Sequence, residues 1–260
     1  MKGGKVWSWL LVLLGLIYFF LPLVATFLFS LRAELGHLGF SAYRYVFSDP
    51  GFVRNFGYSL RWAALTIVAS TLLIIPTVYW VHLRVPKLRP AVEFITLFPF
   101  VVPAVVLAFG LIKTYCCPPF ALKTSPALLI AAYVILSLPF MYRSIDAGLR
   151  AIDVRTLTEA AQSLGAGWAT VLFRVIFPNL RVAILSGIFL TFAIVIGEYT
   201  FASLFAWPAF GPYMVLLGQS RAYEPAALAV VSFILTWASI GVIQWVGRGA
   251  PGGAQVAGVR

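Results

Sequence analysis

Long uncharged, apolar runs dominate the chain, and charged residues separate them. A helix that crosses a membrane needs about 20 consecutive, mostly apolar residues. The run that follows Arg181 is too long for one such helix, and Pro and Gly residues at 207–213 break it and leave a separate segment at 204–224. The pattern therefore predicts six spans, near residues 7–31, 59–82, 93–113, 125–142, 182–203 and 225–246.

Composition narrows the class of protein. Hydrophobic residues make up 62% of the 260 residues and charged residues only 10%, whereas about a quarter of a soluble domain is charged. This excludes an ordinary soluble enzyme and a disordered chain. The net charge of +11 is spread between apolar runs, so it indicates a membrane protein rather than a nucleic-acid-binding one.

Charge also predicts the orientation of the spans. Lys2 and Lys5 precede the first run, which is longer than the core of a signal peptide and has no Ala-x-Ala site after it. We therefore expect an uncleaved anchor. Six spans place both termini on one side, and the segments on that side carry most of the Lys and Arg residues, so the positive-inside rule predicts N-in and C-in.

Three residues within the spans are candidates for the path of a solute. Pro99 and Pro103 lie four apart, on one face of the third predicted helix, and prolines that kink membrane helices occur where a cavity satisfies the freed carbonyls. Proline is also simply commoner in membrane helices. Glu198, expected near the outer end of the fifth span, is the only acid in residues 182–220. It is interpreted as a structural partner of Arg221 or of a residue in another subunit, as a contact for a cationic solute, or as a solvent-exposed group.

The segment from 143 to 181 is rich in charge, yet it keeps a helical pattern. Leu157, Ala160, Ala161 and Leu164 follow the spacing of one helix face, and Asp153 is a possible N-cap. Glycines at 165 and 167 interrupt the helix. A second amphipathic stretch runs from 168 to Pro178, which should end it. A helical hairpin of this kind suits docking of a soluble partner, and it also suits an interfacial helix on lipid headgroups.

These residues resemble a known family. Glu159-Ala160-Ala161 followed by Gly165 and Pro178 is similar to the EAA loop of ABC importer permeases, whose pattern reads E-A-A-x3-G-x9-I-x-L-P. The resemblance covers about residues 50–245 and is closest to the branch that imports polyamines, sulfate, iron, thiamine or phosphonates. Two positions depart conservatively from the pattern, Val175 and Phe177.

The resemblance implies a fold and a function. The chain would be an all-α polytopic membrane protein of six transmembrane helices with a cytoplasmic coupling hairpin. It would form one permease domain over 1–246, with the EAA loop at 143–181 and a flexible tail at 247–260. It would serve as the transmembrane subunit of an ATP-driven, binding-protein-dependent importer in a bacterial or archaeal cell membrane. The residues implied in coupling to the ATPase are Leu157, Glu159, Ala160, Ala161, Leu164, Gly165 and Pro178.

The partners follow from the same resemblance. They are a second permease subunit, expected to be a paralogue, an ABC ATPase dimer, an extracytoplasmic solute-binding protein and the lipid bilayer, with no nucleic acid. The chain has no Gly-x4-Gly-Lys-Ser/Thr loop, so ATP and Mg²⁺ are expected on the ATPase. We expect no catalytic residue, cofactor or metal site in this chain. The solute is expected to be small and polar, such as a polyamine.

The alternatives are an ion-coupled secondary transporter or channel, and an intramembrane enzyme. A coupled carrier needs ionisable groups near the midplane of the membrane, for which only Glu198 is a candidate. An enzyme needs paired acids, metal-spaced His or a nucleophile with a base, and the spans hold none of these sets. The adjacent Cys116 and Cys117 have no metal-ligand spacing and are expected to be free thiols.

Overall fold

The apolar runs form long helices in the computed structural model, which describes residues 2–33, 37–115 and 125–247. Cys116, Cys117 and the tail beyond residue 247 lie outside the described residues. One 3₁₀ turn, at Pro86–Leu88, follows α3. The helices are α1 (Lys2–Ser30), α2 (Ser41–Ser48), α3 (Pro50–Arg84), α4 (Arg89–Val101), α5 (Ala104–Tyr115), α6 (Pro126–Arg150), α7 (Val154–Ser163), α8 (Trp168–Asn179), α9 (Arg181–Gly197), α10 (Thr200–Leu204), α11 (Phe210–Ser220) and α12 (Glu224–Gly247).

Helix length and apolar character identify candidate membrane spans. Among the described residues, α1 from Trp7, α3 and α6 are each long and apolar enough to cross a membrane. Two further pairs, α4 with α5 and α8 with α9, pass the same test together but bend by 100° and 77°. The structure thus contains three such helices, or up to five if each bent pair is one span. The count of six stays a prediction.

The helix bounds correct two sequence expectations. Helix α6 runs on to Arg150, so the first residues of the 143–181 segment continue the fourth span instead of forming a loop. No proline stands between 140 and 150 to stop it. Helix α9 ends at Gly197, before the predicted end of the fifth span at 203, and the separate helix α10 follows.

The described chain divides into two units. The first consists of the residues up to Asn55 together with Pro212–Thr236. It contains α1 and α2, the first turns of α3, and much of α11 and α12. Within it, the Tyr43 hydroxyl lies 2.7 Å from Ser30 Oγ, and Arg221 forms an ion pair of 3.0 Å with Glu224. Asp49 precedes α3 and accepts hydrogen bonds from the Gly51 amide and the Tyr213 hydroxyl.

The second unit, from Phe56 to Gly211 and from Trp237 onward, has two hydrophobic clusters through which α3, α6 and α9 all pass. One cluster joins them to α5 and α10 around the fully buried Tyr133 and Phe201. The other joins them to α7 and α8, with Tyr142, Ile145 and Val171 fully buried. This second cluster places the hairpin, which consists of α7 and α8, directly on the ends of α3, α6 and α9.

Helices α6 and α9 approach each other closely because glycines lie between them. A Cβ added to Gly148 would come within 2.5 Å of Ala183 Cβ, and one added to Gly187 would come within 2.5 Å of Met141 Sδ. Small residues permit this kind of backbone approach in membrane helices. The two helices that flank the hairpin are therefore packed tightly against each other.

Candidate functional site

The hairpin begins with a capped helix. The Asp153 side chain accepts a hydrogen bond of 3.1 Å from the Thr156 amide and one of 2.7 Å from the Thr156 hydroxyl. These bonds lower the pKa of Asp153 below its ordinary value. The N-cap that the sequence predicts is thus confirmed, and it fixes the point at which the chain leaves α6 and turns into α7.

A glycine turn ends α7. Gly165 has φ of +83°, in the left-handed region that residues with a Cβ rarely adopt. The Gly165 and Ala166 amides donate to the carbonyls of Gln162 and Ala161 at 2.9 and 3.0 Å. The interruption of the helix that the sequence predicts at these glycines is confirmed. The second helix then ends at Asn179, one residue after Pro178.

The buried face of α7 differs from the predicted one. Val154 and Thr158 are buried, and Leu157 and Ala161 pack against the same cluster. Leu164 is 89% exposed. The buried set has the same helical spacing as the predicted set but begins one turn earlier. It includes a threonine because the Thr158 hydroxyl has two hydrogen-bond partners, the Val154 carbonyl at 2.7 Å and the Tyr79 hydroxyl at 3.0 Å.

The opposite face of α7 is exposed. Glu159, Ala160 and Leu164 are all exposed. The Glu159 carboxylate accepts from Arg155 Nε at 2.9 Å in an i,i+4 pair whose side chains are 82% and 62% exposed. This surface combines a small residue, an apolar residue and an acid. It can receive a complementary protein surface at close range.

Helix α8 is anchored by a π-helical stretch over Val171–Ile176. Residues five apart lie on the same face of a π-helix, and Val171 and Ile176 are both fully buried. Trp168, at the start of α8, lies against the end of α3. Its ring centroid is 5.9 Å from that of Trp80, and the Arg84 guanidinium lies 5.3 Å above it.

A buried acid joins three helices beneath the hairpin, and sequence reasoning missed it. Asp146 on α6 is 6% exposed. Its Oδ1 lies 2.7 Å from His82 Nε2 on α3 and 2.9 Å from Arg89 Nε on α4. Its Oδ2 accepts from Arg89 at 3.1 Å and from Arg150 at 2.7 Å. Only the Arg150 contact has a sequence signal, the i,i+4 spacing on one helix.

Glu198 caps a helix. Its carboxylate accepts from the amides of Thr200 at 2.6 Å, Phe201 at 3.0 and 3.1 Å, and Ala202 at 3.4 Å. These are the free amides at the start of α10. The acid is 9% exposed. Arg221, one of the expected partners, pairs with Glu224, and backbone amides hold the Glu198 carboxylate. A part for Glu198 in the path of the solute stays a prediction.

Pro99 and Pro103 do not share a helix face. Pro99 lies in the last turns of α4, while Pro103 follows a break at Val102, whose ψ of 122° is extended. A residue that precedes proline is biased toward this conformation. The third predicted span is therefore two helices, α4 and α5. Their bend of 100° is either a broken span or a re-entrant turn.

These features define a class of protein. Long apolar helices with broken pairs form a polytopic membrane protein, and a capped, exposed helical hairpin carried on the ends of three such helices suits a transport component. The described residues contain no group of three or more His, Cys, Asp or Glu that could hold a metal ion.

The family follows from comparison with known proteins. The chain belongs to the family of binding-protein-dependent transport system inner membrane components, whose model matches residues 79–246. It is 26% identical to the molybdenum transport system permease protein ModB of Mycobacterium bovis, over 94% of each chain. It is 31% identical to the sulfate transport system permease protein CysT of Synechococcus elongatus, over 66% of this chain and 64% of that protein.

Other matches are partial or concern the fold. The methionine import system permease protein MetP of Bacillus subtilis is 30% identical over 47% of this chain, and the match spans about half of that protein, 54%. Among solved structures, a bacterial alginate ABC transporter in complex with a pentasaccharide-bound periplasmic protein matches with a TM-score of 0.67 and 18% identity. That match covers 94% of this chain and 95% of the other, and it shows a shared fold.

Proposed function

We propose that the chain is a transmembrane subunit of an ATP-driven, binding-protein-dependent importer and that the exposed face of α7 docks on the ATPase. The observation that carries the proposal is the division of α7 into two faces. One face is packed on the ends of α3, α6 and α9, while Glu159, Ala160 and Leu164 face outward. A helix fixed on one side and open on the other transmits a displacement from a partner to the spans.

A displacement of α7 reaches the spans through the chain connections on either side of the hairpin. The hairpin is joined directly to α6 on one side and α9 on the other, and Gly148 and Gly187 allow these two helices to pack closely. Movement of α7 therefore carries α6 and α9 together, as alternating access by rigid-body rocking requires. ATP and Mg²⁺ are held by the ATPase, and this chain contributes coupling and passage.

The remaining partners complete the assembly. We propose six spans with both termini inside, a second permease that is a paralogue, a binding protein on the outer side, and a bacterial or archaeal cell membrane. The most apolar stretch of α1 has no buried residue. On α4, the surface residues Phe94 and Val101 are 70% and 76% exposed. Surfaces of this kind are covered by lipid or by the second permease.

We propose a small polar solute, and the first candidates are oxyanions of molybdenum or sulfur. The support is the length of the match to the molybdenum permease. A polyamine is the second candidate. The branch resemblance suggests it, with Glu198 as a candidate contact. The Glu198 oxygens accept hydrogen bonds from backbone amides, which counts against that contact. Thermal-shift measurements on the binding protein with molybdate, sulfate and spermidine separate the two.

Docking is tested by charge reversal at Glu159. We expect Glu159→Lys to reduce co-purification of the ATPase and to abolish solute uptake while the protein stays in the membrane, because the acid faces the partner. The control is the double variant Arg155→Glu/Glu159→Lys, which restores the ion pair within α7 but keeps the reversed charge at 159. Recovery of uptake in the double variant would mean that Glu159 acts only within its own helix.

Orientation is tested by thiol labelling in intact cells, with Cys116 and Cys117 replaced by serine. A cysteine at Ser163, which is exposed, should be protected from a membrane-impermeant reagent, and one at Ser48 should react. Thr158 is only 1% exposed, so a probe there would be shielded on either side of the membrane. Labelling of the Ser163 probe in sealed cells would contradict docking on the inner side.

A further inference from the structure

Helix α3 has no covalent link to the hairpin, yet it contacts both of its helices. α6 and α9 are joined to the hairpin by the chain itself, whereas Tyr79 is 79 residues away in sequence from Thr158. We propose that two contacts, Tyr79 with Thr158 and Trp168 with Trp80 and Arg84, form a latch that makes α3 a third helix driven by the hairpin. This inference rests on the proposed function.

The first contact is a directed hydrogen bond. The Thr158 hydroxyl donates its one hydrogen to the Val154 carbonyl at 2.7 Å, so in the bond of 3.0 Å between the two hydroxyls Tyr79 is the donor. Tyr79 is 3% exposed and Thr158 is 1% exposed. Without the Tyr79 hydroxyl, the buried Thr158 oxygen would lose the hydrogen bond that it accepts. The bond therefore fixes the position of α7 against α3.

The second contact is a cluster of aromatic rings with a cation. The Arg84 guanidinium lies 5.6 Å from the Trp80 ring centroid and 5.3 Å from that of Trp168. The Trp168 ring is also 6.3 Å from the Tyr79 ring, edge to face. A guanidinium within about 6 Å of a ring face is attracted to it. Trp168 thus holds the start of α8 against α3.

The two contacts lie on either side of the Gly165 turn. One holds α7 and the other holds α8, and both meet the last six residues of α3. A hairpin held at two points cannot swing away from α3 as it could about a single contact. Tyr79, Thr158, Trp168 and Arg84 are therefore positioning residues, which act on the spans through α3 and touch neither solute nor nucleotide.

The chain offers a matched control for the hydrogen bond. Ser70, also on α3, donates to Ser137 on α6 across 3.0 Å, since the Ser137 hydroxyl itself donates to the Val134 carbonyl. Ser70→Ala and Tyr79→Phe each remove one buried hydroxyl donor from α3. They differ only in whether the lost bond reaches the hairpin. If the variants acted only by lowering the stability of the fold, Ser70→Ala and Tyr79→Phe would have similar effects.

The test uses the full transporter reconstituted in proteoliposomes and measures ATP hydrolysed per solute imported. We expect Tyr79→Phe to raise this ratio by roughly fivefold, the factor that corresponds to one net hydrogen bond, with ATPase association unchanged. Trp168→Leu should act in the same direction, and Ser70→Ala should leave the ratio at the wild-type value. The double variant Tyr79→Phe/Thr158→Val should be no worse than the worse single variant, because both remove one bond.

Two outcomes overturn the latch. One is an equal ratio in Tyr79→Phe and Ser70→Ala, and the other is additive effects in the double variant. The variant Leu164→Asp, on the exposed face of α7, distinguishes failure of the latch from failure of the proposed function. Its control is Leu88→Asp, which changes another exposed leucine. If Leu164→Asp leaves ATPase association intact, docking through α7 fails. If it abolishes association while Tyr79→Phe behaves as Ser70→Ala does, only the latch fails.

Discussion

Removal of the Asp146 carboxylate is the sharpest test of the polar cluster beneath the hairpin. Asp146→Asn keeps the size of the side chain but leaves three cationic or polar partners, His82, Arg89 and Arg150, without the acid that they share. Those partners come from α3, α4 and α6. The variant should therefore weaken the packing of all three helices at this end.

The magnitude follows from burial. Removal of one member of a fully buried ion pair costs about 3–5 kcal/mol. The Asp146 side chain is 8% exposed, but those of Arg89 and Arg150 are 27% and 54% exposed, so water solvates part of the uncompensated charge. We expect a loss of about 2–3 kcal/mol. For a chain of this size that lowers Tm by about 5–10 °C.

The assay is thermal unfolding of the purified permease in detergent, followed by tryptophan fluorescence. Arg155→Gln is the control, because it removes an exposed ion pair, which contributes little to stability. Arg89→Lys should fall between the two, since it keeps the charge but loses the bidentate geometry. A Tm of Asp146→Asn that equals that of Arg155→Gln would refute the view that this cluster stabilises the helix ends.

Three further predictions concern local geometry. Gly165→Val should lower co-purification of the ATPase by distorting a turn at φ of +83°, at a cost of about 1–2 kcal/mol, whereas Gly167→Ala, at φ of −74°, should match wild type; equal recovery would contradict this. Gly148→Ala should lower Tm through a clash worth about 1–3 kcal/mol, and Gly110→Ala, which meets no atom within 4 Å, should not. Asp49→Ala should lower Tm at neutral pH by losing a helix cap, by about 1 kcal/mol. The pKa of Asp49 is lowered by the Tyr213 hydroxyl and then by the Gly51 amide, so the carboxylate stabilises above its ordinary pKa and the gap from wild type should close as pH falls through the lowered value; a gap independent of pH would contradict it.

Local signals predicted much of this fold from sequence. Apolar runs located α1, α3, α6 and α12, because a membrane-length helix needs only a sustained lack of charge. Asp153 and Gly165 were also predictable, since a cap and a left-handed turn depend on residues close in sequence. Break points were less predictable. The bend at Pro103 separates two helices, α4 and α5. From sequence, a proline in a continuous apolar run is equally compatible with a single kinked helix.

Contacts between distant segments were not predictable. Asp146 meets His82 and Arg89 across 64 and 57 residues. No spacing rule connects positions so far apart, and each residue alone resembles an ordinary charge near a helix end. The i,i+4 relation of Asp146 to Arg150 was visible, but it predicts an exposed pair. Burial changes its meaning, because a buried carboxylate needs several donors.

The buried face of α7 shows why a helical pattern needs its neighbours. Leu157, Ala160, Ala161 and Leu164 form an acceptable apolar stripe, yet Leu164 is exposed and Thr158 is buried. From sequence, a threonine counts against burial because its hydroxyl needs a partner. Tyr79 supplies that partner from α3, which frees Leu164 for the outer face. The residue that breaks the apolar pattern is thus the one that ties the hairpin to a distant helix, and the apolar residue left outside is the one that a docking partner would cover.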